Sequence, residues 1–191
     1  MFNEISQKMK SAKLKDKKLY LVTDRGKFSS VDDFLNKIAS SLQGGVQIVQ
    51  LREKTANAKE FTDIAKKVRQ LCSMYDALFI VNDRVDIAKI VQADGVHLGQ
   101  DDIDIHSARE ILGNEAIIGI STHAPDQALK AVENGADYIG VGPVFETPTK
   151  PGRQAVGIDY VKWASQNIEI PWFAIGGINI DNADEVVKAR R

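Results

Sequence analysis

A lone cysteine, Cys72, rules out an internal disulfide in this 191-residue chain. It falls beside Val68 and Leu71 on the apolar side of a predicted helix, where a packed core thiol is expected. No apolar run approaches the roughly 20 residues needed to cross a bilayer as a helix. The first 18 residues contain six lysines but no continuous apolar segment, so neither a secretory signal nor a membrane span is read there. A cytoplasmic protein is the expectation. Charge of one sign is also lacking: 25 Lys and Arg face 26 Asp and Glu, a net charge of −1. That balance gives no general attraction to nucleic acid or to a membrane surface, so any anion must be held by a few focused basic residues. Small-molecule partners are expected. Neither G-x-G-x-x-G after the first apolar run nor G-x-x-x-x-G-K-[ST] anywhere occurs, which removes the dinucleotide and P-loop readings. The three histidines form no zinc-ligand spacing and no Ser/His/Asp arrangement.

What is present is a repeating pattern. Hydrophobic residues make up 43% of the chain and charged residues 27%, which fits one domain with a real core. Short β-rich apolar runs recur: Leu19–Thr23, Ile48–Leu51, Leu78–Val81, Val96–Leu98, Ile117–Ile120, Tyr138–Val141 and Trp172–Ile175. Continuous rather than alternating apolar character suits strands buried on both faces, hence a parallel sheet covered by helices. The spacers read as helices. Val31, Phe34, Leu35, Ile38 and Leu42 follow helical spacing behind Ser30 as N-cap, and Phe61, Ile64, Ala65, Val68 and Leu71 do so behind Asn57 with Glu60 three residues later. Shorter helices are predicted over 85–91, 107–112, 125–132, 158–164 and 183–189. Seven βα steps of about 25 residues suggest either an open doubly wound sheet or a (β/α) barrel. Polar residues gather at nearly every strand end, which favours the barrel, whose loops at the carboxyl ends of all strands share one mouth. Residues 1–17 read as a basic helical segment, with Ile5, Met9 and Ala12 at near-helical spacing covering the barrel base, and 18–191 as the barrel domain.

The strand ends carry the chemistry. Gln50, Arg52 and Lys54 alternate along one extended stretch and can point together into the mouth; Arg offers a fork and Lys a compact charge to phosphate oxygens. A surface ion-pair face involving Glu53 is the plainer alternative. Asp83 follows the third strand and Asp102 the fourth, so the two carboxylates could share a gap suited to Mg²⁺. Asp101, Asp102 and Asp104 all lie where a helix should begin, and at least one is expected to be a cap. The stretch Phe145-Glu-Thr147-Pro-Thr149-Lys150-Pro-Gly152 combines hydroxyls, a cation and proline-stiffened backbone, as a loop folding over a phosphorylated substrate would. Gly176 and Gly177 end the seventh strand and let backbone N–H groups approach a phosphate. His97 and His106 read as structural; His123 lies at a strand end and is a candidate for substrate contact.

Taken together, Tyr20-Leu-Val-Thr-Asp24, Val49-Gln-Leu-Arg-Glu-Lys54, Val81-Asn-Asp83, His97-Leu-Gly-Gln-Asp-Asp102, Gly119-Ile-Ser121, Gly142-Pro143 with Thr147-Pro-Thr-Lys150, and Ala174-Ile-Gly-Gly177 closely resemble the thiamine phosphate synthase family. The resemblance runs from about Lys18 to Arg191 and implies a TIM (β/α) barrel. It implies that Gln50, Arg52, Lys54, Asn82, Ser121 and Lys150 hold an aminopyrimidine diphosphate, that Asp83 and Asp102 bind Mg²⁺, and that Thr147, Thr149 and Gly177 hold a thiazole phosphate. Arg52, Lys54, Ser121 and Lys150 would carry the catalysis. In the mechanism so implied, the pyrimidine methylene–oxygen bond breaks, diphosphate leaves, and the thiazole nitrogen attacks the resulting cation, with no protein nucleophile. The family continues into an eighth strand and helix that the chain to Arg191 does not contain. Low activity, or an open edge paired with a partner, is therefore expected, and a homo-oligomer is left open. A related thiazole tautomerase and a non-catalytic binding module are the alternatives; the diphosphate-binding set speaks against the first.

Overall fold

The computed structural model describes residues 2–147 and 154–190. The chain forms two compact units, one of residues 1–98 and 102–118 and the other of residues 99–101 and 119–191.

The first unit begins with helix α1 (Phe2–Lys15) and then alternates β1 (Tyr20–Val22), α2 (Val31–Gln43), β2 (Ile48–Leu51), α3 (Ala58–Met74), β3 (Leu78–Asn82), α4 (Val85–Ile90), β4 (Gly95–Leu98) and α5 (Ile105–Leu112). Its strands are parallel and pair in sequence order, with Tyr20 beside Ile48, Ile48 beside Leu78 and Ile80 beside Gly95. All four residues of β2 and of β4 are buried, as strands covered on both faces must be. The helices start where their caps allow. Ser30 accepts the Asp33 amide through its hydroxyl, and the Asn57 carbonyl oxygen accepts that of Glu60. Asp104 does the same for Ser107 and is the cap among the three aspartates of that turn. α2 buries Phe34, Ile38 and Leu42, one residue per turn; α3 buries Phe61, Ile64, Ala65, Val68 and Cys72. Each fully buried large side chain contributes about 2 kcal/mol by its removal from water. Cys72 is the packed thiol expected, although Leu71 is only half-buried and Cys72 takes the stripe's last position.

The face that α1 turns inward is not the expected one. Met9 is 53% exposed and Ala12 is exposed, while Ser6, Lys10 and Leu14, each four residues apart, are buried. The Ser6 hydroxyl donates to the Asn114 carbonyl at 3.0 Å, which ties α1 to the turn entering the next strand. A lysine stem covers apolar surface well enough to occupy such a stripe.

The second unit takes most of β5 (Ile117–Thr122) and continues through α6 (Pro125–Glu133), β6 (Tyr138–Val141), α7 (Gly157–Asn167), β7 (Trp172–Ala174) and α8 (Ala183–Ala189). β5, β6 and β7 are again parallel, with Gly119 beside Tyr138 and Ile139 beside Trp172. Gly119 makes room for its neighbour: a Cβ there would lie 2.0 Å from Cζ of the buried Tyr138 ring. Below Ser121, a buried hydroxyl chain fixes the end of β5. The Tyr160 hydroxyl lies 2.7 Å from Thr122 Oγ1, which donates to the Gly140 carbonyl at 2.9 Å. Among the described residues no helix is long and apolar enough to cross a membrane.

Candidate active site

In the first unit, side chains and amides link the end of β2 to those of β1 and β3. Gln50 is buried within β2, and its side-chain amide donates to the Tyr20 hydroxyl at 2.9 Å, so its position is set by the neighbouring strand. The next alternate residue, Arg52, is held by its backbone: its N–H donates to Thr23 Oγ1 at 3.1 Å. Its guanidinium makes no ion pair among the described residues. Lys54 reaches the carboxylate of Asp83. Asp83 has a left-handed backbone, φ 60°, uncommon outside glycine. Its amide donates to the His97 carbonyl at 2.9 Å, and its other carboxylate oxygen accepts the Asn82 side-chain amide at 2.7 Å. Lys54 and Asp83, expected to serve an anion and a cation respectively, are paired with each other here.

Glu53 does not form a surface ion-pair face with its neighbours. Its side chain is 4% exposed, and Arg25, from the short 3₁₀ turn after β1, donates to it at 2.5 Å while also reaching Glu60 at 3.2 Å. Burial alone would raise the Glu53 carboxyl; the Arg25 hydrogen bond, the Thr55 and Ala56 amides and the Thr55 hydroxyl outweigh it and bring the pKa down to about 2.

Asp102 is exposed in the segment between β4 and α5, and with Asp104 as cap it is not the residue spent on starting the helix. His97 is buried in β4, as a structural histidine should be. Among the described residues there is no cluster of three or more His, Cys, Asp or Glu side chains able to enclose a metal.

In the second unit, Ser121 lies in β5 with its carbonyl held by the Gln100 side chain at 2.7 Å. His123 is fixed at both ends: its amide donates to Gln127 at 2.8 Å, and Nδ1 lies 2.5 Å from the Gly142 carbonyl. A carbonyl only accepts, so Nδ1 carries the ring proton. Thr147 is half-buried. Gly177 adopts φ 66° and lies so close to the preceding loop that a Cβ would meet the Glu146 carbonyl at 2.6 Å. The Phe145 amide donates to the Gly176 carbonyl at 2.9 Å, binding the loops after β6 and β7 together. Thr149 and Lys150 lie outside the described residues.

Arg25, Thr23, Tyr20 and Gln100 were not singled out from sequence as site residues, though all orient one. The acidic residue flanked by two cations in Arg52-Glu53-Lys54 was the available signal, since it must have a partner elsewhere.

Parallel βα repeats with charged and polar side chains at the carboxyl ends of the strands define an α/β scaffold of the TIM-barrel type. Residues 19–190 match the family model described as Thiamine monophosphate synthase, and the chain belongs to that family. It is 50% identical over 172 residues to a thiamine-phosphate synthase of Nostoc punctiforme, covering 90% of this chain and 48% of that protein. It is 46% identical over 173 residues to one of Thermus thermophilus, covering 90% of this chain and 83% of the relative. The chain thus spans about half the length of the cyanobacterial relatives it matches. The solved thiamine phosphate pyrophosphorylase of Pyrococcus furiosus superposes with a TM-score of 0.82 at 42% identity, over 94% of this chain and 83% of that one, and establishes the (β/α) barrel fold class.

Proposed function

We propose that the protein condenses 4-amino-2-methyl-5-(diphosphooxymethyl)pyrimidine with a thiazole phosphate to give thiamine phosphate and diphosphate, in the cytoplasm. The observation that carries this reading is the meeting of Lys54 with Asp83 beside Arg52, an anion donor set next to a cation acceptor at adjoining strand ends. Gln50, Arg52, Lys54, Asn82, Ser121 and Lys150 hold the pyrimidine diphosphate; Thr147, Thr149 and Gly177 hold the thiazole phosphate. Asp83 and Asp102 are the ligands proposed for Mg²⁺. Asp83 fits that role in kind, since it is a hard oxygen donor that already accepts the Lys54 ammonium. When bound, the metal supplies positive charge to the diphosphate oxygens.

The reaction needs no nucleophile from the protein. The methylene–oxygen bond breaks with its electron pair on the diphosphate, and the thiazole nitrogen lone pair then bonds to the methylene carbon. The chain's own part is to stabilise the departing charge with Arg52, Lys54 and Lys150, to hold the two rings in line and to keep water from the cation. The test mixes both substrates with Mg²⁺ and follows thiamine phosphate and diphosphate release, with Lys150→Ala alongside. Turnover that is lost in Lys150→Ala is the expected result. Binding of thiazole phosphate without any product would turn the assignment toward a tautomerase or a binding module.

A further inference from the structure

Glu53 poses an electrostatic problem. It stands directly between Arg52 and Lys54, the two cations assigned to the diphosphate, and a carboxylate one residue from each is well placed to neutralise them. It does not: both of its oxygens are engaged by other groups. Oε2 receives Arg25 Nε at 2.5 Å; Oε1 receives the Thr55 amide at 2.8 Å, the Thr55 hydroxyl at 3.0 Å and the Ala56 amide at 3.1 Å. Arg25 is occupied in turn, with its second nitrogen on Glu60 at the start of α3. The three groups join the loop after β1, the loop after β2 and the first turn of α3. Arg52 and Lys54 extend from the short segment this assembly immobilises, Arg52 tied additionally to Thr23 and Lys54 engaged with Asp83.

We infer that Glu53, sequestered by Arg25 and by the amides of Thr55 and Ala56, is a positioning residue for diphosphate binding, holding Arg52 and Lys54 in place while keeping its own charge away from them. This rests on the substrate assignment above. Arg25, although a guanidinium near the site, is by the same geometry a structural counter-charge rather than a phosphate ligand.

The test compares the unmodified chain with Glu53→Gln and with Arg25→Gln/Glu53→Gln. The double variant leaves no uncompensated buried charge and removes the Arg25 charge that the single variant would release toward the anion. Inorganic diphosphate is titrated in Mg²⁺ by calorimetry, and KM is measured for each substrate on protein whose folding is checked by its melting curve. Both variants are expected to bind diphosphate about tenfold more weakly, the factor for losing one well-aligned charged contact. The KM for the pyrimidine diphosphate should rise in step while that for the thiazole phosphate stays put. A loop staple with no positioning role would leave diphosphate affinity unchanged or move both KM values together, and either result overturns the inference while the proposed reaction stands. Failure of the unmodified chain to bind diphosphate at all would overturn both. Should Glu53→Gln not fold, the double variant decides.

Discussion

Replacing Glu53 with Gln should change how stability depends on pH in a way that can be worked out beforehand. The glutamine keeps an oxygen to accept the Thr55 and Ala56 amides but turns an NH2 group, which only donates, toward Arg25, so the substitution removes the charge and the Arg25 hydrogen bond together. A carboxyl with an ordinary value of 4.5 is held at about 2 in the folded chain, which corresponds to about 3 kcal/mol at roughly 1.4 kcal/mol for each pH unit. Because the folded value is the lower one, this stabilisation is fully present above about pH 4.5 and is lost as the pH falls toward 2. The Arg25 side chain is 24% exposed, and solvent there trims the expected difference to about 2–3 kcal/mol. Chemical denaturation at pH 7, 4.5, 3 and 2 is the assay. The variant should be the weaker protein at pH 7 and the two stability curves should converge near pH 2. A gap of constant size across that range would refute the reasoning, since it would trace the loss to packing rather than to the carboxylate.

Two further outcomes follow from the core. Gly119→Ala would set a methyl 2.0 Å from the Tyr138 ring, which is 1% exposed and packed edge-on to Phe173; a destabilisation of about 1–3 kcal/mol is expected from such overpacking, and a denaturation midpoint equal to the parent's would contradict it. Cys72 is fully buried, and burial, with a smaller push from Asp94, moves its thiol up to about 12 against the pull of Arg69. An alkylating reagent at pH 8 should therefore label it only after denaturant is added, and prompt labelling of the native chain would contradict the burial.

The elements set by local chemistry were legible. Ser30 and Asn57 could be named as caps because a cap uses a side chain and an amide three residues apart. The buried strands announced themselves by unbroken apolar runs, and parallel order followed from the helical spacers. What sequence could not supply was pairing at a distance. Arg25 and Glu53 are 28 residues apart, and nothing in either segment says that a turn after one strand will reach a loop after the next. The inward face of α1 was misjudged for a different reason: reading only apolar residues passed over Lys10, whose methylene stem does the covering. The candidate site was legible as a set of strand ends. That Lys54 and Asp83, assigned opposite tasks, would hold each other was not.

That mutual hold has a thermodynamic consequence. An anion that draws Lys54 away sets Asp83 at liberty to bind a cation, and a cation settling on Asp83 sets Lys54 at liberty to bind an anion. Each therefore lowers the work of releasing the pair for the other, and reciprocity requires the two affinities to rise by the same factor. On the proposed assignment of Lys54 and Asp83, a single ion pair at the ends of β2 and β3 would make an anion and its counter-ion cooperative ligands.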